Sequence, residues 1–160
     1  MGSDAGAFSP RILDRFDLVS QGISAEFIAA KWGFDRRALD AFSFQSHQKA
    51  LKADFSKEIL PVDGVVADQG PRKDTTLEKM LTLKPAFKDD GVITAGNSSQ
   101  ISDGAAALLL GSAGKAKELG LKPRARLVAC VSVGVDPTIM LTGPIPATER
   151  VLRAAGLKLA

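Results

Sequence analysis

The feature that most constrains the fold is a run of six consecutive apolar residues, Ala105–Leu110, directly after Asp103-Gly104. A short apolar run without polar alternation is typical of a strand buried on both faces of a sheet. A second segment rich in valine and alanine, Arg126–Val135, predicts another such strand. Two strands of this kind cannot cover each other's faces. We therefore expect the rest of the sheet to come from elsewhere, which makes these 160 residues incomplete as a fold.

Helix signals dominate the first third of the chain. Ser24 is the predicted N-cap of one helix and Gly33 its predicted end. Its predicted apolar face consists of Phe27, Ile28 and Trp32. Asp35 predicts the cap of a longer helix. The apolar stripe of that helix has spacings of three and four: Leu39, Phe42, Ser46, Ala50 and Ala53.

The remaining segments add one strand and three helices. Glu58–Val62 predicts a short edge strand, and Asp68–Asp74 an exposed loop. Thr75–Glu78 has the pattern of a capping box and predicts a short helix that Pro85 stops. Two later helices are predicted over Ala113–Leu119 and Thr148–Ala155, closed by Gly120 and Gly156. Strands that alternate with helices indicate an α/β protein.

Composition excludes several classes of protein. With one cysteine and one histidine, the chain holds no internal disulfide and no multi-cysteine or histidine-rich metal site, so we predict no metal. The sequence contains no run of about 18 apolar residues, so we predict no membrane span. The first residues do not have the pattern of a secretory signal, and we therefore expect a cytoplasmic location. The net charge of +3 suits an anionic ligand, but the absence of tyrosine argues against a nucleic-acid partner.

Three strings carry a resemblance to a known family. Residues 94–107 read TAGNSSQISDGAAA, residues 134–140 read GVDPTIM, and residues 143–147 read GPIPA. These strings, in this order and spacing, resemble the middle of a thiolase, either an acetyl-CoA acetyltransferase or a 3-ketoacyl-CoA thiolase. The resemblance extends over nearly the whole chain and implies a fragment of an α/β fold. In that family two similar halves pack together, and a loop domain inserted in the first half binds coenzyme A.

The resemblance also implies a division of the chain into three parts. Residues 1–101 are similar to a mostly helical, CoA-binding loop domain that lacks its start. Residues 102–122 resemble the return into the N-terminal thiolase half. Residues 123–160 resemble the start of the C-terminal half, so the two halves contribute incomplete βαβα layers.

A thiolase transfers an acyl group between coenzyme A and a 3-oxoacyl-CoA through a cysteine acyl-enzyme. The resemblance therefore implies CoA and acyl-CoA as substrates, no permanently bound cofactor and a homo-oligomer. The family's nucleophilic cysteine and its Asn-Glu-Ala-Phe, Gly-His-Pro and Cys-x-Gly motifs do not occur here. We assign no catalytic residue and expect the chain alone to be inactive, with the missing thiolase segments or a partner chain supplying catalysis. The alternative is a non-catalytic acyl-CoA-binding or assembly subunit that complements a partner chain.

Six residues match family positions that contact coenzyme A: Arg72, Phe87, Ala95, Gly96, Ser99 and Met140. The family's serine at the position of Ser99 hydrogen-bonds the pantetheine arm, and its arginine at the position of Arg72 lies over the adenine. Phe87, Ala95 and Gly96 match the pantetheine tunnel, and Met140 matches the acyl end of the pocket. Each of these roles has an alternative. Ser99 could be a turn serine that bonds its own backbone, and Arg72 could be a solvated surface residue. Phe87 and Met140 could pack in the core.

Other polar residues have structural interpretations. Cys130 lies in an apolar segment without a cationic neighbour in sequence, so we expect a small buried side chain rather than a nucleophile. We expect His47 to be a boundary residue that makes one hydrogen bond, and Asn97 to shape the turn before Ser99. The chain departs from the family pattern at Lys79, where a serine often contacts CoA, and at Gln100, where glycine is usual.

Overall fold

Six α-helices and one 3₁₀ turn form the regular structure of residues 8–159, the part of the chain that the computed structural model describes. The turn covers Met140–Thr142. The helices are α1 (Pro10–Leu13), α2 (Gln21–Trp32), α3 (Arg36–Lys52), α4 (Leu77–Leu81), α5 (Ala113–Glu118) and α6 (Pro144–Ala155). No helix between residues 8 and 159 is long and apolar enough to cross a membrane.

The chain divides into two units. Unit 1 comprises the described part of Met1–Ser102 together with Asp136–Leu141. Unit 2 comprises Asp103–Val135 and the described part of Thr142–Ala160. All helices up to α4 belong to unit 1, whereas α5 and α6 belong to unit 2.

Helix α2 begins earlier than its sequence signals predict. The N-cap is Ser20, whose hydroxyl oxygen accepts a hydrogen bond from the Ile23 amide at 3.4 Å. The predicted cap, Ser24, is wrong because this residue lies inside the helix and is fully buried. The predicted end at Gly33 is confirmed, since this glycine has a φ of 68°, which is unstrained only without a side chain.

The buried face of α2 is small and polar rather than aromatic. Phe27 and Trp32 are 43% and 44% exposed, so the predicted apolar face is wrong. The buried residues of this helix are Gly22, Ser24, Glu26 and Ala29. Close packing explains the small ones, because a Cβ atom at Gly22 would overlap the Phe87 ring. The Phe87 ring approaches too closely for any side chain at position 22.

Side-chain caps also fix the starts of α3 and α4. The predicted cap of α3 is confirmed, since Asp35 Oδ1 accepts from the Ala38 amide at 2.7 Å. Helix α4 is capped by Thr76, which accepts from the Lys79 amide at 3.2 Å, one residue later than the predicted capping box. The Glu78 backbone amide and then the Thr76 hydroxyl lower the pKa of the Glu78 carboxyl by hydrogen bonding.

The interior of unit 1 is organised around a buried carboxylate. Asp40 of α3 is fully buried. Its Oδ2 accepts from Arg36 Nε at 2.6 Å, and its Oδ1 accepts from Asn97 Nδ2 at 2.8 Å. Arg36 also donates to the carbonyl of Met80 in α4. Asp40 and Arg36, both in α3, thereby join this helix to the segment around Asn97 and to α4.

A second carboxylate connects α2 to the same segment. Glu26 is only 8% exposed. Its two carboxylate oxygens accept from the amides of Val92 at 3.0 Å and Ile93 at 2.8 Å. These bonds satisfy two backbone donors that no strand pairing satisfies within residues 8–159. The buried apolar residues of the described chain are Ala29, Met80 and Ile93.

The predicted strands do not form within residues 8–159. The described chain contains two isolated antiparallel bridges, Val62 with Val65 and Pro85 with Thr94, and no longer strand. The prediction of a strand is therefore wrong for three segments: Glu58–Val62, Ala105–Leu110 and Arg126–Val135. A strand needs a paired neighbour to satisfy its backbone, and the two apolar segments meet none here. Leu108, in the run Ala105–Leu110, is 91% accessible.

The helices of unit 2 follow local signals closely. Ser112 caps α5 by accepting from the Lys115 amide at 3.2 Å. Helix α6 begins at Pro144 rather than at the predicted Thr148, because proline is well suited to the first helical turn. It ends before Gly156, as predicted, with a φ of 68° at that glycine. Cys130 is exposed, so its predicted burial is wrong.

We expect Asp40→Ala to lower the free energy of unfolding of the chain by about 3 kcal/mol, because it leaves Arg36 and Asn97 without their buried partner. Urea unfolding measures the effect. Asp89→Ala, which removes an exposed carboxylate, should change it by less than about 0.5 kcal/mol. Equal unfolding midpoints for both variants would contradict the role of Asp40.

We expect the chain to self-associate through unit 2, where Leu108, Leu109 and Leu110 are 91%, 84% and 80% exposed. Sedimentation at several concentrations should show an average mass that rises with concentration. Leu109→Glu should reduce this association, whereas Leu60→Glu, at a residue 83% exposed in unit 1, should not. A concentration-independent monomer would show the expectation to be wrong.

Candidate functional site

A cleft of about 560 Å³ lies beside helix α3 in unit 1. One wall is the face of α3 that carries Leu39, Phe42, Ser46 and Ala50, four residues of the predicted stripe. The opposite walls are the loop around Gly70 and most of residues 96–102. The stripe therefore faces an open cleft rather than a core, and Phe42 is 76% exposed.

The turn at residues 94–97 has a defined shape because its polar atoms bond internally. Asn97 Oδ1 accepts from the Thr94 amide at 2.9 Å, and Asn97 Nδ2 donates to the Val92 carbonyl at 2.9 Å. The hydroxyl of Thr94, which is fully buried, accepts from the Gly96 amide at 3.1 Å. The prediction that Asn97 shapes this turn is confirmed.

Gly96 allows the turn to approach helix α4 closely. A Cβ atom at this position would lie 2.7 Å from Leu83 Cδ1, closer than two carbon atoms can pack. The glycine thus lets residues 94–97 lie against α4 and its C-terminal extension while one edge of the turn borders the cleft.

Two serine hydroxyls follow this turn on the wall of the cleft. Ser98 Oγ is buried and has no hydrogen-bond partner within residues 8–159. Ser99 lies beside it and is exposed. A hydroxyl can both donate and accept, so this wall can bind an amide or another polar group of a ligand.

His47 connects α3 to the loop that carries Arg72. Its Nδ1 accepts from the Arg72 backbone amide at 3.3 Å, and the imidazole borders the cleft. The expectation that His47 makes one hydrogen bond at a boundary agrees with this geometry. Arg72 itself is exposed and directly follows Pro71, which lines the cleft.

The six residues matched to CoA contacts are not all in one place. Gly96 and Ser99 line the cleft, and Arg72 is next to a lining residue. Phe87, Ala95 and Met140 are not among the residues that line it. Phe87 packs against Gly22 of α2 and is 39% exposed, and Met140 lies in the 3₁₀ turn, also 39% exposed.

Sequence reasoning missed three residues that shape this region. Asp40 is the buried anchor of Asn97, Ser98 carries the unpaired hydroxyl, and Gln100 donates to the Gly70 carbonyl at 2.8 Å. The only signal for Asp40 was an arginine four residues earlier, which suits an ion pair along a helix. Within residues 8–159, no cluster of histidine, cysteine, aspartate or glutamate could hold a metal ion.

Known proteins of one family match this chain. A family model described as the thiolase N-terminal domain matches residues 4–114. The acetyl-CoA acetyltransferase of Allochromatium vinosum is 49% identical over 89% of this chain and 40% of its own length. The 3-ketoacyl-CoA thiolase of Escherichia fergusonii is 45% identical over 85% of this chain and 39% of its own length.

Solved structures give the same result. The crystal structure of the Bacillus anthracis acetyl-CoA acetyltransferase matches with a TM-score of 0.83 and 41% identity, over 89% of this chain and 39% of that one. The acetyl-CoA acetyltransferase of Syntrophomonas wolfei matches with a TM-score of 0.76 and 42% identity, over 86% of this chain and 37% of that one.

The chain spans about 40% of the length of the curated relatives it matches. The predicted α/β, thiolase-like fold class is confirmed by these structures, with the helices formed and little strand in the described residues. Because the family model covers most of the chain and the structural matches agree with it, the chain belongs to the thiolase family.

Proposed function

We propose that this chain supplies the CoA-binding wall and part of the scaffold of a thiolase-type acyltransferase. The reaction moves an acyl group between coenzyme A and a 3-oxoacyl-CoA through an acyl thioester on a cysteine. The observation that carries the proposal is the cleft beside α3, in which Gly96, Ser98 and Ser99 form one wall and the Arg72 loop borders another. Its volume of about 560 Å³ lies within the usual range for small-molecule sites.

The chemistry of the cleft suits different parts of coenzyme A. The exposed Ser99 hydroxyl matches the amide groups of a pantetheine arm, which present both donors and acceptors. A guanidinium such as that of Arg72 stacks on a planar base and pairs with phosphate. The proposal also includes Phe87 and Ala95 as pantetheine contacts and Met140 as a contact near the acyl group. A net charge of +3 supports an anionic ligand.

The proposal assigns no catalytic residue to these 160 residues. The reaction needs a thiolate to carry the acyl group, a base and donors for the oxyanions. Cys130 is the chain's one cysteine. It is exposed, in a segment of unit 2 without regular structure, and lies about 30 residues after the serines of unit 1 in sequence. Other thiolase segments or a partner chain provide the catalytic groups, so this chain alone is inactive.

The proposed assembly is a homo-oligomer in the cytoplasm, and the three-part division at residues 101 and 122 belongs to the same proposal. A chain that binds coenzyme A yet supports no acyl transfer in any assembly would instead be an acyl-CoA-binding subunit. Both functions require the cleft to bind CoA.

We expect Ser99→Ala to weaken coenzyme A binding about three- to tenfold, because one hydrogen bond is lost. Arg72→Ala should weaken it about tenfold, because a charge-assisted contact and a stacking surface are lost. Isothermal titration of the full chain with coenzyme A measures both effects. Arg11→Ala, which removes the same charge from exposed α1, should leave the affinity unchanged. An equal loss in Arg72→Ala and Arg11→Ala would show that only net charge matters. The absence of binding to the parent chain would refute the proposal.

A further inference from the structure

Three side chains from three different elements hold the loop that carries Arg72. They bond to the backbone of alternate residues along the loop, at positions 70, 72 and 74. Gln100 Nε2 donates to the Gly70 carbonyl at 2.8 Å, His47 Nδ1 accepts from the Arg72 amide at 3.3 Å, and Lys79 Nζ donates to the Asp74 carbonyl at 2.8 Å.

This arrangement is unusual for an exposed loop without regular structure. Residues 72–74 are exposed, and exposed loop backbone is ordinarily the most mobile part of a domain. The three bonds tie the loop to α3, to α4 and to the wall of the cleft. All of them engage backbone atoms of the loop, so holding it does not occupy the Arg72 guanidinium.

The bond to His47 also distinguishes the two ring nitrogens. A histidine that accepts at Nδ1 has no proton there, so a neutral ring carries its proton on Nε2. The restraint therefore requires an acceptor at the position of Nδ1, near the Cβ atom. Asparagine can place its Oδ1 at that position, whereas glutamine places its side-chain oxygen near the position of Nε2.

We propose that His47, Gln100 and Lys79 are positioning residues, which hold Arg72 beside the cleft before coenzyme A binds. The ligand in this inference rests on the proposed function. A loop that is already ordered loses less conformational entropy when the ligand binds. The ligand therefore binds more tightly. His47 acts through Arg72 and does not itself contact the reacting atoms.

Hydrogen exchange of the ligand-free chain tests the restraint without any ligand. In His47→Gln, amide exchange of residues 70–74 should accelerate about three- to tenfold, because one hydrogen bond is lost. In His47→Asn it should stay within about twofold of the parent chain, because an acceptor is retained near Nδ1. Gln45→Ala, at an exposed position of α3, controls for effects on the helix. Equal acceleration in the asparagine and glutamine variants would overturn the proposal.

A double-mutant cycle with coenzyme A tests the link to Arg72. His47→Gln alone should weaken binding about three- to tenfold. In an Arg72→Ala background the same change should cause no further loss, since residues that act as one unit are not additive. Fully additive losses would overturn the positioning role. A parent chain that binds no coenzyme A would refute the proposed function and this ligand, while the exchange comparison alone decides whether the restraint exists.

Discussion

The hydrogen bond between Asp40 and Asn97 is the interaction on which the rest of unit 1 depends. Asp40 is fully buried, so its charge must be matched by donors, and Arg36 and Asn97 supply them. Asn97 in turn fixes the turn from Thr94, and that turn places the cleft-lining serines. Glu26 binds the same segment from the other side. Where few apolar side chains are buried, these charged contacts decide the arrangement of the helices.

The cleft is a consequence of that arrangement. The turn cannot be moved without breaking the bonds of Asn97, and Gly96 is the residue that lets it lie against Leu83. The loop of Arg72 is then held by three side chains, those of His47, Gln100 and Lys79. A preformed wall of hydroxyls and a restrained loop favour a ligand with both polar and anionic groups.

Features that depend on neighbouring residues could be predicted from the sequence, whereas contacts between residues far apart in the chain could not. Asp35 and the glycines at 33 and 156 mark helix ends because their effect is confined to one turn. Ser24 misled because Ser20 caps the helix four residues earlier, which places Ser24 inside the helix. The run Ala105–Leu110 has the composition of a buried strand, but a strand also needs a partner. The family motifs identified Gly96 and Ser99, whereas the roles of Asp40 and Gln100 depend on partners 57 and 30 residues away.

The proposed function requires coenzyme A to bind in the cleft beside α3. Hydrogen exchange of the full chain with and without saturating coenzyme A, measured peptide by peptide, tests this binding. We expect slower exchange in residues 70–74 and 96–102, because the ligand covers their amides, and no change in residues 103–135. Protection confined to residues 103–135, or no protection at any position, would contradict binding of coenzyme A in this cleft.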